Sequence, residues 1–186
     1  MRNDQYVIPG PPVLVPLGVL IMVVSWVVLR RRGALTPARL LVTWLAGWYA
    51  VAVLGATLLP LHVSFGGDPQ LYRINPIPFT QIRPRDSLLN VVMTLPFAAF
   101  LHVVLGVRDR MRVIRFGFLT SLAIELTQCV LILTVHDNRW AEANDLIANT
   151  LGVYLGFVAF RWLQRRPPLR RVVPERDVTQ RRPARS

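Results

Sequence analysis

The residues with chemistry to offer lie between Ser121 and Gly156, in the stretch SLAIELTQCVLILTVHDNRWAEANDLIANTLGVYLG. Two apolar runs flank a short polar turn, and Glu125, Gln128, Asp145 and Asn149 sit inside the runs or at their edges. A carboxylate or amide in such a setting costs free energy unless it has a partner or a task. With a helical advance of about 100° per residue, Ser121, Glu125 and Gln128 share one face, and Asp145, Asn149, Gly152 and Gly156 share another. Two chemistries fit this set. Arg139, in the turn, is suited to an anionic group, with Asn90, Gln128 and Asn149 as hydrogen-bonding partners of a bound headgroup. Alternatively, Glu125 or Asp145 acts as general acid or base on a lipid held between the helices.

Plainer readings compete. Buried amides can simply bond helix to helix, at about 1 kcal/mol per pair or less. That suffices for Asn90 or Asn149 alone, and Arg139 alone could mark the membrane interface. The convergence of a mid-membrane carboxylate with Arg139, Asp145 and several amides favours a pocket, because packing has cheaper solutions. His62, His102 and His136 are scattered over two loops and an apolar run, so no metal site is expected. Cys129 reads as a packing residue. The sequence has no phosphate-binding glycine loop, no serine beside a histidine and no repeat, and it calls for no cofactor.

Five apolar stretches position these residues: Val13–Leu29, Leu40–Leu61, Leu88–Val107, Phe116–Val135 and Leu146–Leu163. Each is long enough to cross a bilayer core. A chain of 186 residues that is 53% hydrophobic, with mean hydropathy +0.40, therefore reads as an all-α, multi-pass membrane helix bundle of five transmembrane helices. The first stretch ends at Arg30–Arg32 with no small-residue cleavage site, as an uncleaved anchor would. Pro96 lies within the third stretch, where neighbouring helices can satisfy the carbonyl it frees. Residues 62–86, including INPIPF at Ile74–Phe79, read as loop.

The net charge of +12 rests on 22 arginines and no lysine. They cluster at the ends of apolar runs and in the tail, a pattern that argues for membrane orientation and against nucleic acid. Seventeen fall on the side of Arg30–Arg39, Arg108–Arg115 and the tail, so the amino terminus is expected outside and the carboxyl terminus inside, in the plasma membrane. Residues 1–39 then form an anchor helix and basic turn, and 40–163 a four-helix core. Residues 164–186 form a disordered Arg/Pro-rich tail that can lie on anionic lipid. Glu125 precedes Val135 by ten residues, which places it roughly 15 Å deep. The fourth and fifth spans are expected to pack as a hairpin, drawn close by the small-xxx-small pair Gly152 and Gly156, with Asn90 and Thr94 as a third wall. The outcome is a polar funnel opening outward at Arg139.

Three blocks resemble the VanZ-like family, named for an accessory teicoplanin-resistance protein. They are Asn75 with Pro78 and Phe79, leading to Asn90 and Pro96; Glu125 with Gln128; and Arg139, Glu142, Asp145, Asn149 and Gly152. The resemblance covers roughly 40–163. Thr94, Leu95 and Ala98 depart from the family pattern around the proline, where a Phe shortly before it and a Gly two after it are usual, and the tail lies outside that pattern. It implies a small polytopic protein of the cell envelope, tied in some members to lower glycopeptide susceptibility, without an agreed activity. Combined with the residue reading, the expectation is a binding or accessory protein for a lipid headgroup or lipid-linked precursor. The alternative is an intramembrane enzyme acting on an isoprenoid phosphate or related lipid through Glu125 and Asp145. A transporter is disfavoured, since five spans without a repeat do not suit alternating access.

Overall fold

Apolar runs of this length leave the backbone no option in a bilayer but the helix, which satisfies its own N–H and C=O groups. The computed structural model describes residues 5–64 and 70–166, and it is helical almost throughout. The helices are α1 (Pro11–Arg31), α2 (Pro37–Leu58), α3 (Pro84–Thr94), α4 (Phe97–Leu105), α5 (Arg110–Val135) and α6 (Ala143–Gln164). With α3 and α4 taken as one broken span, five helical segments are long and apolar enough to cross a membrane. The arginine-rich tail from residue 167 onward lies outside the described residues.

Local signals explain the boundaries. Thr36 caps α2 by accepting from the Arg39 N–H, and Asp109 caps α5 by accepting from the Arg112 N–H at 2.8 Å. The Asp109 cap lets α5 begin well before the apolar run, at Arg110. Pro96 cannot donate to a helical ladder, and the third span breaks there into α3 and α4. The nearby Met93 carbonyl instead accepts the Tyr49 hydroxyl of α2 at 2.9 Å.

The stretch expected to be loop carries short strands. Strand β1 (Gln5–Ile8) pairs antiparallel with β2 (Leu61–Ser64), and β3 (Ile74–Asn75) pairs in parallel with β4 (Ala141–Glu142). These strands gather the end of α2, the loop before α3 and the α5–α6 turn into one cap over one end of the bundle. Asp137, fully buried, fastens it: its Oδ1 accepts the N–H groups of His62 at 3.1 Å and Asn138 at 2.9 Å. The INPIPF loop docks through Asn144, whose Oδ1 accepts the Phe79 N–H while its Nδ2 donates to the Thr80 carbonyl.

α6 lies at the centre, packed against α3, α4 and α5. Ala98, Leu101, Val113 and Val153 form the buried apolar cluster, while residues such as Val19, Leu20, Leu126 and Val130 face outward, as lipid-facing positions do. α5 and α6 do pack together, but the glycines serve a different neighbour from the one expected. A side chain at Gly152 would strike the Thr94 hydroxyl and the Val91 backbone, and one at Gly156 the Leu95 carbonyl. Both glycines therefore seat the α3–α4 break on α6. At the α5–α6 contact the small residue is Gly117 of α5, which faces Val153.

Candidate functional site

The capped end of the bundle encloses a cavity of about 510 Å³. α2 supplies Ala56 and Thr57, α3 supplies Asp86, Asn90 and Met93, α5 supplies Gln128, and α6 supplies Asp145. The turn adds Arg139, Trp140 and Glu142, and Arg83 stands at the start of α3. Four of the six ligand-binding candidates thus meet: Asn90, Gln128, Arg139 and Asp145. Asp145 lies beside Asn90 and Glu142.

The other two sit elsewhere. Glu125 stands behind the cavity wall, where its Oε2 accepts the Glu142 N–H at 2.9 Å. Asn149 lies farther along α6, donating through Nδ2 to the Ser121 hydroxyl at 2.9 Å, while its backbone carbonyl faces the Thr94 hydroxyl at 3.0 Å. Its Oδ1 is buried without a partner.

Arg139 is engaged rather than free. Its Nη1 donates to the Ala56 carbonyl at 3.0 Å, its Nη2 donates to the Leu59 carbonyl, and its Nε lies 4.0 Å from Asp137 Oδ2. Gln128 Nε2 adds a bond to the Thr57 carbonyl at 2.9 Å. Three carbonyls at the end of α2, which a helix cannot satisfy internally, are thereby capped from other elements, and the cation opposes the negative end of the helix dipole. Burial pulls the Arg139 guanidinium below its ordinary value, and the Asp137 carboxylate pushes back. Among the described ion pairs none joins Arg139 to Glu125.

With its amide nitrogen used on Thr57, Gln128 keeps a buried Oε1 without a partner, and the residue is only 7% exposed. Glu142, 5% exposed, has its Oε1 3.4 Å from Arg83 Nη2 without a hydrogen bond. Arg83 also lies over the Trp140 ring, 4.0 Å from its centre, and 3.9 Å from Asp86. Arg83 and Glu142, like Arg139 Nε and Asp137 Oδ2, are thus ion-paired without a hydrogen bond, and Gln128 Oε1 remains as the buried acceptor of the cavity with no partner of either kind. Among the described residues no group of three or more His, Cys, Asp or Glu side chains could hold a metal ion.

Sequence reasoning assigned no role to Arg83, Trp140 or Thr57, and singled out Glu142 only through the family blocks. Arg83 and Trp140 flank apolar segments in a way that any interface residue can, and Thr57 acts through its backbone. The Glu125-to-Glu142 bond arises from a backbone N–H at β4, which no side-chain pattern reports.

The VanZ/LLP1 family profile matches residues 45–164, from within α2 to the end of α6. No curated protein and no solved structure matches the chain. The matched segment holds every residue of the cavity, three of the five membrane-capable segments whole and most of a fourth, α2, with α1 alone lying wholly outside it, and the chain is a membrane protein of the VanZ/LLP1 family.

Proposed function

We propose that this protein is a binding or accessory protein of the cell envelope whose polar cavity receives the headgroup of a membrane lipid or lipid-linked precursor. The observation that carries the reading is the cavity lined by Asn90, Gln128, Arg139 and Asp145 at one end of a membrane bundle, with Gln128 Oε1 buried and unpartnered. A buried acceptor left open in a polar cavity of this size is favourable once a ligand supplies the donor. The arginine distribution turns this end outward across the plasma membrane. Native mass spectrometry on gently extracted protein tests the reading. The parent retains a specific lipid, and Asn90→Ala and Asp145→Asn variants with unchanged melting retain it at least tenfold less. A parent that carries no lipid above the detergent background removes the proposal.

The second reading is an intramembrane enzyme acting on an isoprenoid phosphate or related lipid. It is favoured by Asp86, Glu142 and Asp145 sharing one cavity with Glu125 close behind, which offers both an acid and a base. Turnover of a labelled lipid by the purified parent, abolished in Glu125→Gln, would establish this reading over the first.

A further inference from the structure

A second cavity of about 590 Å³ lies between α2 and the α3–α6 core, and its walls are almost wholly apolar. Its α2 wall runs from Thr43 to Leu58, roughly 22 Å by helical rise, and its α5 wall from Gly117 to Thr127, roughly 15 Å. The α5 wall has about the depth of one leaflet's hydrocarbon.

The two cavities are stacked along the bundle axis. On α5 the apolar cleft ends at Thr127 and the polar cavity takes Gln128; on α6 the polar cavity holds Asp145 and the cleft holds Asn149 and Val153. On α3, Asn90 faces the polar cavity, Thr94 the cleft, and Met93 lines both. Three helices, α3, α5 and α6, thus change from polar to apolar lining, and Met93 marks the junction. A polar chamber over an apolar one of leaflet length has the shape of an amphiphile. A helix from another chain does not fit, since a span about 10 Å wide and 30 Å long occupies on the order of 2,000 Å³.

The headgroup chemistry follows from what the protein leaves open. Arg139 is held by the Ala56 and Leu59 carbonyls, and Arg83 by Trp140 and Glu142. Glu142 Oε1 is taken up by Arg83, which leaves Gln128 Oε1 as a buried acceptor with no partner in the polar cavity. Its missing complement is an N–H or O–H group.

Resting on the headgroup reading above, we propose that the two cavities hold one membrane lipid. A single hydrocarbon chain lies in the cleft, and the headgroup donates N–H or O–H hydrogen bonds in the polar cavity. Hydroxyls of a glycolipid and the ammonium of an aminophospholipid supply the same donor chemistry.

The test offers the purified full chain three lipids with matched acyl chains: glucosyl diacylglycerol, phosphatidylethanolamine and the donor-free phosphatidylcholine. Native mass spectrometry reads retention for the parent and for Ala50→Phe and Ala123→Phe, which fill the cleft from positions outside the packed core. One or both donor lipids are retained at least tenfold over phosphatidylcholine, the better of the two naming the source. Each Phe variant loses at least tenfold with melting unchanged. Equal retention of phosphatidylcholine overturns the donor chemistry, and undiminished retention in both Phe variants overturns the chain seat; either leaves the headgroup reading standing. A parent dimer that the Phe variants abolish makes the cleft a seam between copies and overturns the proposal. No retention by the parent of any lipid removes the headgroup reading itself.

Discussion

Glu125 Oε2 accepts the backbone N–H of Glu142 at 2.9 Å, so a carboxylate from the middle of α5 holds the strand residue that opens α6. The bond fixes where Glu142 directs its side chain into the cavity. Replacing Glu125 by Ala leaves that N–H without a partner, at about 1–3 kcal/mol. Glu125→Gln keeps an oxygen at the same reach. Thermal unfolding in detergent should therefore fall clearly for Glu125→Ala and little for Glu125→Gln. Equal loss in both would mean that the negative charge, not the acceptor, holds the turn.

Arg139 ties three things together: the Ala56 and Leu59 carbonyls and the Asp137 carboxylate. Arg139→Ala uncaps the end of α2 and removes one of the two basic groups near the fully buried Asp137, the other being His62 Nδ1 at 3.7 Å, so the loss should fall below the figure of about 3–5 kcal/mol typical where a buried charge loses its sole partner. Lysine offers a point charge in place of the planar fork and should recover only part of the loss. Arg139→Ala combined with Asp137→Asn should cost less than the sum of the two single losses. Denaturation of the four proteins as a double-mutant cycle checks this, and additive losses would show that the pair is not coupled.

Much of the architecture was legible because hydrophobic length is an unambiguous signal in a bilayer. The five spans fall within a few residues of their expected positions, with α5 extended by the Asp109 cap. The site was legible in part. Asn90, Gln128, Arg139 and Asp145 meet, since their depth and helical face follow from spacing. What spacing does not convey is which carbonyls need capping, and those carbonyls, at Ala56, Thr57 and Leu59, determine what Arg139 and Gln128 do. The glycines show the same limit: Gly152 and Gly156 declared a close helix contact, but not that its partner is the break at Pro96.

That contact yields a graded series. A methyl group at Gly152 or Gly156 meets backbone of Val91 or Leu95, which cannot move without shifting the α3–α4 break. Gly117→Ala meets the two Val153 methyls at 2.8 Å and its Cβ at 2.9 Å, a smaller overlap than Gly152 has with Thr94 and Val91 or Gly156 with Leu95. Gly152→Ala and Gly156→Ala should each cost more than about 2 kcal/mol, with Gly117→Ala milder, because its overlap is smaller and a slight shift of α5 from α6 relieves it. Melting temperatures of the three variants give the order directly. A Gly117→Ala loss equal to the others would mean that α5 and α6 cannot separate even by a few tenths of an ångström.

The arginine distribution carries an expectation of orientation that single cysteines can test. In a Cys129→Ser background, Leu35→Cys lies in the turn between α1 and α2, and Ile77→Cys lies in the loop that docks on Asn144; both positions are well exposed. The arginine excess lies on the side of Leu35, which should therefore face the cytoplasm. A membrane-impermeant maleimide should label Ile77→Cys in intact cells, and Leu35→Cys only after permeabilisation. The reverse pattern would turn the polar cavity to the cytoplasmic leaflet. The headgroup would then have to come from a lipid exposed on that face, before any transfer across the membrane.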